Sequence, residues 1–491
     1  MRHRRQSAPL SSEVTGLEPT KEETALHELE SDISTDTSTV PCGRRYPEVL
    51  PQEPVTFYSE YPDFGYHVHQ EDNVDICSSF LVGQCLQGSH CPRHHTVLPY
   101  TWQVREKNTT RWTNVEEGAH QALERLFSDP HVVQVTGMYK GIQVFIDFST
   151  MDIYNSPEID RVRRLSTSTD PSVYFHTSYR FFYEESDDKW IEYDKVFTSA
   201  IAEGHRNKQD IVTYSNPLFK YVLHLTMMYQ QNLQTGTMRR IARRPVFRST
   251  VAMQFELRTF SGCNASSNST PRTPGSDITA QFPGSWIITN PELTHESILL
   301  SYGDQEFAHV YTYFHSTMSE SQYIILEISR IQNYFQWDKY RRKRDHMIQQ
   351  LNEGERNRLE RHLFHGTEHT LVEAICRQNF DPRVSGKNGT IYGQGCYFAK
   401  DASYSHRYAK PTSEGYHYMF LAKVLVGRPA KGTHNLRRPP PIYPDDPSSP
   451  LYDSCVSQLN NPDIFVIFDN DQFYPYFLIK YQKTQNMVIL G

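Results

Sequence analysis

Phe364-His365-Gly366-Thr367 begins the stretch that decides the fold of the C-terminal part of this chain, and Tyr392-Gly393-Gln394-Gly395-Cys396-Tyr397-Phe398-Ala399 and Ser405-His406-Arg407-Tyr408 complete it. A histidine followed by a glycine at the end of an apolar strand lets a flat polar ligand approach the backbone of Gly366. The glycines at 393 and 395 are predicted to do the same from the other side. Two tyrosine rings, at 397 and 408, can enclose a flat cationic ring by stacking and cation–π attraction. The stretch therefore predicts a ligand-binding cleft.

The ordered set His-Gly-Thr, Tyr-Gly-x-Gly-x-Tyr-Phe-Ala and Ser-x-x-Tyr resembles the catalytic domain of the poly(ADP-ribose) polymerase family. Each part alone is weak, because glycine pairs usually mark turns. The resemblance implies an enzyme whose substrate NAD is held by five residues: His365, Gly366, Tyr397, Ser405 and Tyr408. The imidazole is expected to bond the adenosine ribose, the glycine backbone and the serine hydroxyl to hold the nicotinamide amide, and the two tyrosines to sandwich the nicotinamide ring. A loop from Asn379 to Ile391 is expected to cover the dinucleotide.

The length of the product depends on one further position. Members of the family that extend ADP-ribose chains carry a glutamate on a strand near the end of the domain, and counting back from Gln472 places Ile464 there. An isoleucine can neither accept a proton nor bond a hydroxyl. Asp463 is the alternative, although the alternation of a strand would point it to the opposite face. We therefore expect His365, Tyr397 and Ile464 to govern the transfer of single ADP-ribose units to acceptor proteins, including this chain itself.

Length and composition limit the other possibilities. A chain of 491 residues is expected to form several domains. Its net charge of -7 gives no overall attraction to nucleic acid. No apolar run reaches about 18 residues, and the N-terminus is polar, so we expect neither a membrane span nor secretion. The expected location is the nucleus, the cytoplasm or both; Arg2-His3-Arg4-Arg5 fits nuclear import or simply a solvated terminus.

Three cysteines and one histidine with short separations predict a metal site at residues 71–98. Cys77, Cys85, Cys91 and His95 can close a tetrahedral Zn²⁺ site, and so small a segment has little core without the metal. His94 is an adjacent alternative ligand. The spacing resembles that of CCCH zinc fingers.

That resemblance implies an RNA-binding finger, with a protein-contacting or purely structural finger as the alternative. Phe80 and His90 are candidates for stacking on bases, and Arg93 for contacting a phosphate. Against RNA, residues 71–75 are acidic and no dense basic stripe is present.

Two segments that follow the finger, residues 99–169 and 171–246, resemble tandem WWE domains. WWE domains that recognise ADP-ribose use tyrosines, a glutamine and an arginine, and the second copy has Tyr183, Tyr221, Gln230 and Arg240 at those positions. The first copy has Val144 and Ile153 where a tyrosine and the glutamine belong. We expect the first copy to be a packing scaffold; the second copy binds ADP-ribosylated proteins or keeps the fold without the ligand.

The whole chain is thus expected to be a multidomain α+β protein. Its predicted parts are a disordered tail at 1–70, a CCCH finger at 71–98, two WWE domains at 99–169 and 171–246, a linker at 247–278, and a transferase with a mainly antiparallel split sheet at 279–491. Apolar patterning predicts helices at 115–127, 306–314, 337–351 and 370–377, and strands at 143–148, 323–331, 421–426, 461–468 and 475–479. The basic run 339–344 is expected to be a solvated helix face, with nuclear import or an acidic partner as alternatives.

A second function class remains open for the chain as a whole. Proteins with finger and WWE regions can serve as scaffolds that bind RNA or ADP-ribose without catalysis. Retention of His365, Tyr397 and Tyr408 favours the enzyme.

Overall fold

The computed structural model describes residues 66–186, 189–260, 282–286, 295–384 and 390–491. Within these ranges the strands form three sheets, of seven, six and nine strands. Most of the predicted tail at 1–70, the polar part of the linker at 264–276 and the centre of the 379–391 loop lie outside the described residues. No described helix combines the length and apolar character that crossing a bilayer requires.

The metal-site segment is short and packs on the first sheet. It contains helix α1 (Ser78–Leu81) and a 3₁₀ turn at Gly88–His90. Ile76 forms one β-bridge to His94 within the segment and another to Thr167, the residue that follows strand β6 of the first sheet.

The first sheet has the order β2-β1-β6-β5-β4-β3-β22. Its strands are β1 (Tyr100–Glu106), β2 (Trp112–Asn114), β3 (Gln134–Tyr139), β4 (Ile142–Asp147), β5 (Asp152–Tyr154), β6 (Ile159–Ser166) and β22 (Met487–Ile489). Helix α2 (Glu117–Phe127) buries Ala119, Leu123 and Leu126, whose spacing of three and four residues gives one apolar face. The helix and strand predicted at 115–127 and 143–148 are confirmed to within two residues.

The second sheet has the order β8-β7-β12-β11-β10-β9, and all its pairings are antiparallel. Its strands are β7 (Tyr179–Ser186), β8 (Lys189–Glu192), β9 (Ile211–Ser215), β10 (Lys220–His224), β11 (Tyr229–Asn232) and β12 (Met238–Pro245). Helix α3 (Lys195–Arg206) packs on one face and is capped by Asp194, which accepts the Phe197 N–H. A small core of Phe181, Ile201, Leu223 and Ile241 joins helix and sheet.

The predicted linker is only partly a linker. Residues Thr250–Phe260 form helix α4, in which Met253 is buried against the core of the first sheet, while Val251 packs against the core of the third. The polar composition that suggested a linker belongs to residues 264–276, whereas these earlier residues carry enough apolar surface to pack.

The third sheet has the order β13-β14-β21-β17-β15-β16-β20-β19-β18, and only β18 and β19 are parallel neighbours. Its strands are β13 (Glu296–Leu299), β14 (Tyr323–Gln332), β15 (Glu360–Thr367), β16 (Cys396–Ala399), β17 (Tyr416–Leu425), β18 (Pro429–Lys431), β19 (Ser454–Val456), β20 (Ile464–Ile467) and β21 (Phe473–Lys483). The helices around it are α5 (Gln305–His315), α6 (Tyr334–Gln350), α7 (Glu353–Arg356), α8 (His369–Gln378) and α9 (Ala402–Ser405). One core lies on each face of this sheet.

The predicted elements of this third region are found, with shifted ends. Helix α6 starts at Tyr334, before the predicted 337, because the side chain of Asn333 caps it by accepting the Gln336 N–H. The strand predicted from 461 starts only at Ile464, since Asn461 has a φ of 50° and Pro462 has no N–H for the ladder.

The basic run on α6 is neutralised within the fold. Tyr340 is buried, while Lys339 pairs with Asp471 at 3.5 Å, Lys343 with Asp469 at 2.8 Å and Arg341 with Asp338 at 3.1 Å. The run therefore forms a helix face whose charges are paired within the protein.

Candidate functional site

The residues predicted to form the cleft lie where strands β15 and β16 separate. The two strands share one register pair, Phe364 with Ala399; beyond it, β15 continues along β17 and β16 continues along β20. One hydrogen bond crosses the gap, from His365 Nδ1 to the carbonyl oxygen of Tyr397 at 2.8 Å. The sheet is therefore divided at the motif that the sequence singled out.

That hydrogen bond fixes the state of the histidine. A carbonyl can only accept, so Nδ1 carries the proton and Nε2 of the neutral ring is left as an acceptor. Burial lowers the pKa of His365, and the bond to Tyr397 opposes this only in part. The ring lies against Phe380 and Phe398, with centroids 4.7 and 5.5 Å away. A neutral imidazole in this place can accept a hydrogen bond from a sugar hydroxyl.

Gly366 also makes a close contact within the protein that the sequence did not predict. A Cβ at this position would lie 1.9 Å from the carbonyl oxygen of Ser405, so the space beside Gly366 is occupied by the main chain of α9. Gly395 is similar, since its Cβ would lie 2.5 Å from the oxygen of Ile467. The missing side chains of these two glycines therefore allow segments of the protein to pack closely, in addition to the ligand approach that the sequence predicts for their backbones.

Ser405 is buried, and its hydroxyl donates to the carbonyl of Phe364 at 3.0 Å. The side chain therefore ties α9 to β15 in this structure. Any bond to a ligand amide would share or replace this contact.

The two tyrosines come close without stacking on each other. The Tyr397 hydroxyl donates to the Gly393 carbonyl and accepts the Tyr392 N–H, both at 2.9 Å, which fixes its ring. Burial raises the pKa of Tyr397, and Tyr408 adds to this effect, so the two phenols are within electrostatic reach. Among the ring contacts of the described residues, Tyr408 packs against Tyr404, with centroids 5.9 Å apart. Two neighbouring rings that do not contact each other suit a flat ring held between them.

Sequence reasoning missed the anchor behind Tyr408. His406 sits on the same 3₁₀ turn (His406–Tyr408), and its ring lies 2.8 Å from the Tyr481 hydroxyl and 3.2 Å from the Tyr323 hydroxyl. These bonds tie the turn to β21 and β14. The partners are 75 and 83 residues away, so no local pattern pointed to them.

The position expected to limit the product is aliphatic and buried. Ile464 is directly opposite Ala399, and Val466 is opposite Tyr397, so all four side chains share one face of the sheet. Ile464 is 6% exposed, whereas Asp463 is exposed and points to the other side. Neither position 463 nor position 464 therefore places a carboxylate on the face that carries Tyr397.

The structure brings together three of the four residues predicted to bind ADP-ribose. The strand registers place Tyr183, Tyr221 and Gln230 on one face of the second sheet. Arg240 belongs to the opposite face, where it is ion-paired with Glu184 and lies over the ring of Trp190. The prediction that Arg240 lies beside Tyr183, Tyr221 and Gln230 is therefore wrong.

The arginine that shares the face of Gln230 is the preceding residue. Arg239 is opposite Gln230 in the ladder, and its guanidinium lies 5.7 Å from the Tyr183 ring. Tyr193, also missed from sequence, donates its hydroxyl proton to Gln230 Oε1 at 2.7 Å. The sequence correctly predicted an arginine from this strand beside Gln230, but the arginine is Arg239 and not the neighbouring Arg240.

The corresponding positions of the first sheet are part of its core. Val144 is fully buried and Ile153 is 6% exposed, and both pack in the cluster between α2 and the sheet. Apolar side chains here offer no hydrogen bond to a nucleotide.

Cys77, Cys85, Cys91 and His95 converge, with their ligand atoms all within 4.8 Å of one another. His94 turns elsewhere, since its Nδ1 accepts the His69 N–H at 2.9 Å. Phe80, a candidate for base stacking, lies parallel to the His95 ring at 4.0 Å, so one of its faces is covered. His90 and Arg93 are exposed.

Comparison with known proteins agrees with this geometry. Residues 304–483 match the family model "Poly(ADP-ribose) polymerase catalytic domain", and residues 179–243 match the WWE domain. Protein mono-ADP-ribosyltransferase PARP12 of Mus musculus is 31% identical over 439 residues, which cover 84% of this chain and 58% of that protein. PARP12 of Homo sapiens is 30% identical, with 84% and 59% covered.

The chain thus spans less than two thirds of the length of the PARP12 proteins that it matches. Protein mono-ADP-ribosyltransferase PARP11 of Mus musculus is 33% identical over 289 residues, which cover 55% of this chain and 80% of that protein. The chain belongs to the poly(ADP-ribose) polymerase family.

Proposed function

We propose that the chain is an NAD-dependent mono-ADP-ribosyltransferase that attaches single ADP-ribose units to protein side chains, its own included, and releases nicotinamide. The observation that carries the proposal is the divided sheet, in which His365 bonds to the main chain of Tyr397 across the division while the aliphatic Ile464 shares the face of Tyr397.

His365 and the two tyrosines are proposed to bind the two ends of NAD and so to orient the bond that breaks. His365 Nε2 accepts from a ribose hydroxyl of the adenosine half, and the Tyr397 and Tyr408 rings hold the nicotinamide. With both ends held, the bond between nicotinamide and the ribose carbon breaks; nicotinamide leaves with the electron pair and positive charge develops on the ribose. A nucleophilic side chain of the acceptor forms the new bond to that carbon and loses its proton.

Gly366 and Ser405 are proposed to hold the nicotinamide amide. Gly366 acts through its backbone, and the Ser405 hydroxyl lies in the same corner of the cleft, where it now bonds to Phe364. The 379–391 loop is proposed to cover the bound dinucleotide.

Incubation with labelled NAD tests the activity. We expect the wild type to label itself and an added protein, and His365→Ala to lower the rate by about a hundredfold, because the dinucleotide is no longer positioned. His346→Ala, on the exposed side of α6, is the matched control and is expected to keep full activity. Absence of label with every protein would favour the non-catalytic scaffold instead.

The length of the product tests the role of Ile464. Mass spectrometry is expected to find adducts of one ADP-ribose. Asp463→Asn is expected to change neither rate nor product, because this carboxylate is exposed on the opposite face. Chains of several units from the wild type, or a change of product in Asp463→Asn, would contradict the assignment.

We propose that Cys77, Cys85, Cys91 and His95 bind one Zn²⁺ as a CCCH finger. The donor set suits the ion, and four ligand atoms within 4.8 Å fit a single tetrahedral centre. Bound zinc would hold the segment folded. RNA contact is proposed only through the exposed His90 and Arg93, and a mobility-shift assay with His90→Ala and Arg93→Gln tests it.

We also propose that the first two sheets are tandem WWE domains, at 99–169 and 171–246, followed by a transferase at 279–491. Support comes from their shared plan of one helix packed on consecutive antiparallel strands, which β22 extends in the first sheet by a parallel pairing. The second domain is proposed to bind ADP-ribosylated proteins through Tyr183, Tyr221 and Gln230, and the first to be a scaffold. The proposed location, nucleus or cytoplasm or both, is tested by imaging of the tagged chain.

A further inference from the structure

A cavity of about 340 Å³ lies between helix α3, the segment 169–178 and strands β7 and β12. This volume falls at the lower end of the range of small-molecule sites, about 300–1,000 Å³. Its floor is the sheet face that carries Phe181 and Arg243, which are opposite each other in the ladder. The same face carries Gln230 further along, at the end where ADP-ribose is proposed to bind, so the cavity is a separate site.

The lining is rich in groups that bind anions. It includes two arginines, Arg206 and Arg243, and two histidines, His176 and His205, together with the hydroxyls of Thr198 and Ser199. No aspartate or glutamate lines this cavity of the described chain.

Two nitrogen atoms in the cavity wall stand out. Arg243 Nε and His205 Nε2 are buried, and neither has a hydrogen-bond partner among the described residues. The Arg243 guanidinium lies 3.6 Å from the centre of the Tyr179 ring, which fixes its plane but leaves its charge without an anion. A buried guanidinium in this state is unfavourable unless an anion accompanies it.

The nearby carboxylates are engaged elsewhere. Glu124, behind the cavity, forms a buried pair with Arg164 at 2.7 Å. Asp170 accepts the Ser172 N–H at 2.9 Å, which is the main cause of its lowered pKa; the charges of Arg206 and His176 lower that pKa further. Neither side chain lines the cavity, so Arg243 remains available to a ligand, while Asp170 offsets part of the charge of Arg206 at the mouth.

We propose that this cavity binds the phosphate group of a small phosphorylated ligand of about mononucleotide size. Arg243 donates to the phosphate from the floor, His205 Nε2 donates from α3, and Arg206 closes the exposed side. The charged guanidinium groups of Arg243 and Arg206 bind phosphate oxygens more strongly than neutral groups do. Burial lowers the pKa of His205 to about 4, so this ring donates in its neutral form. Free phosphate and the phosphate of a nucleotide share this chemistry, and the test separates them.

The experiment is calorimetric titration of the full chain with inorganic phosphate and, separately, with AMP. Arg243→Gln is expected to weaken binding by about tenfold or more, because a charge-assisted contact is lost. Arg244→Gln is the matched control: this arginine is also half-buried, but it faces the other side of β12, over the Phe127 ring. We expect Arg244→Gln to bind both probes like the wild type.

Loss of both probes in Arg243→Gln supports a phosphate site, and loss of AMP alone assigns the site to a nucleotide. Loss of inorganic phosphate alone assigns it to the free anion. Equal binding by the two variants, or no saturable binding of either probe to the wild type, overturns the proposal. Should Arg243→Gln fail to fold, Arg206→Gln, at the exposed mouth, takes its place, and unchanged binding there also overturns it.

Discussion

The position of Tyr408 depends on a contact at Gly366 that tolerates no side chain. The carbonyl of Ser405 and the N–H of Ala409 both lie within about 3 Å of where a Cβ would stand, and Tyr408 lies between them in sequence. His406 fixes the same turn from behind through Tyr481 and Tyr323. The turn is therefore held on two sides, which fixes the main-chain position from which the Tyr408 side chain extends.

Gly366→Ala is expected to disturb this turn. The methyl group would overlap the Ser405 oxygen, so the turn must shift, and overpacking of this kind destabilises by about 1–3 kcal/mol. We expect a lower free energy of unfolding and a raised KM for NAD, measured by urea titration and by labelled-NAD kinetics.

The control for this prediction is Gly354→Ala. In α7 a Cβ at this position would meet only Asn352 Oδ1, at an ordinary 3.5 Å. Alanine is favoured over glycine in a helix by about 0.5–1 kcal/mol, so this variant should be as stable as the wild type or more so. Equal behaviour of the two variants would show that the Ser405 contact does not position the turn.

The sequence predicts the residues of the proposed cleft but not the contacts that support them. His365, Tyr397 and Tyr408 could be proposed because their motif lies within 45 residues. The phenols that hold His406 come from strands far away in the chain, and the reason for Gly366 lies in the approach of Ser405. Both depend on tertiary packing, which a local pattern does not encode.

Among the elements, the second sheet shows how much depends on register. A shift of one residue moves a side chain to the other face of a strand. Arg239 and Arg240 differ in this way: Arg239 faces Tyr183 and Gln230, while Arg240 pairs with Glu184. Two adjacent arginines give no pattern from which the inward one can be chosen, so the sequence predicted the strand but not the face.

The same alternation supplies a matched pair of variants at Gln230 and Gln231. Gln230 is buried and accepts from Tyr193, whereas Gln231 is opposite Val222 and Met238 on the other face. Gln230→Ala is expected to weaken ADP-ribose binding at least tenfold, through the loss of a buried polar contact, while Gln231→Ala has no effect. Calorimetry with ADP-ribose measures both. Equal losses, or none in either variant, would exclude this face as the binding site.

At the scale of the whole molecule, the first sheet joins the other parts. The segment that carries the Cys/His cluster contacts it through Arg163, which pairs with Asp72 at 2.7 Å and lies over Trp112. The second sheet contacts it where Arg244 covers Phe127. The third-sheet region contacts it where Arg125 Nε donates to the carbonyl of Glu320 at 3.3 Å. The first sheet, in which Val144 and Ile153 are part of an apolar core, thus contacts each of the other described parts.

The C-terminal strand β22 forms one edge of the first sheet, and the sequence pattern did not predict it. Val488 and Leu490 are 2% and 1% exposed in the core of the first sheet, while Ile489 between them is 62% exposed. The N–H of Glu116 donates to the Leu490 carbonyl at 3.0 Å. Three residues with one alternation are too short a signal, and their partner strand β3 lies about 350 residues earlier, far beyond the reach of a local pattern.

Truncation of Leu490 therefore tests whether β22 holds the first sheet to the third-sheet region. Leu490→Ala removes a fully buried side chain, which costs about 2–5 kcal/mol where the site cannot collapse. We expect β22 to detach locally and the Glu116 amide to exchange its hydrogen at least tenfold faster, as followed by mass spectrometry. Ile489→Ala, on the exposed side of the same strand, should leave the exchange unchanged. If both variants protect Glu116 as the wild type does, the contact is incidental and the first sheet is held by Arg125 and its neighbours alone.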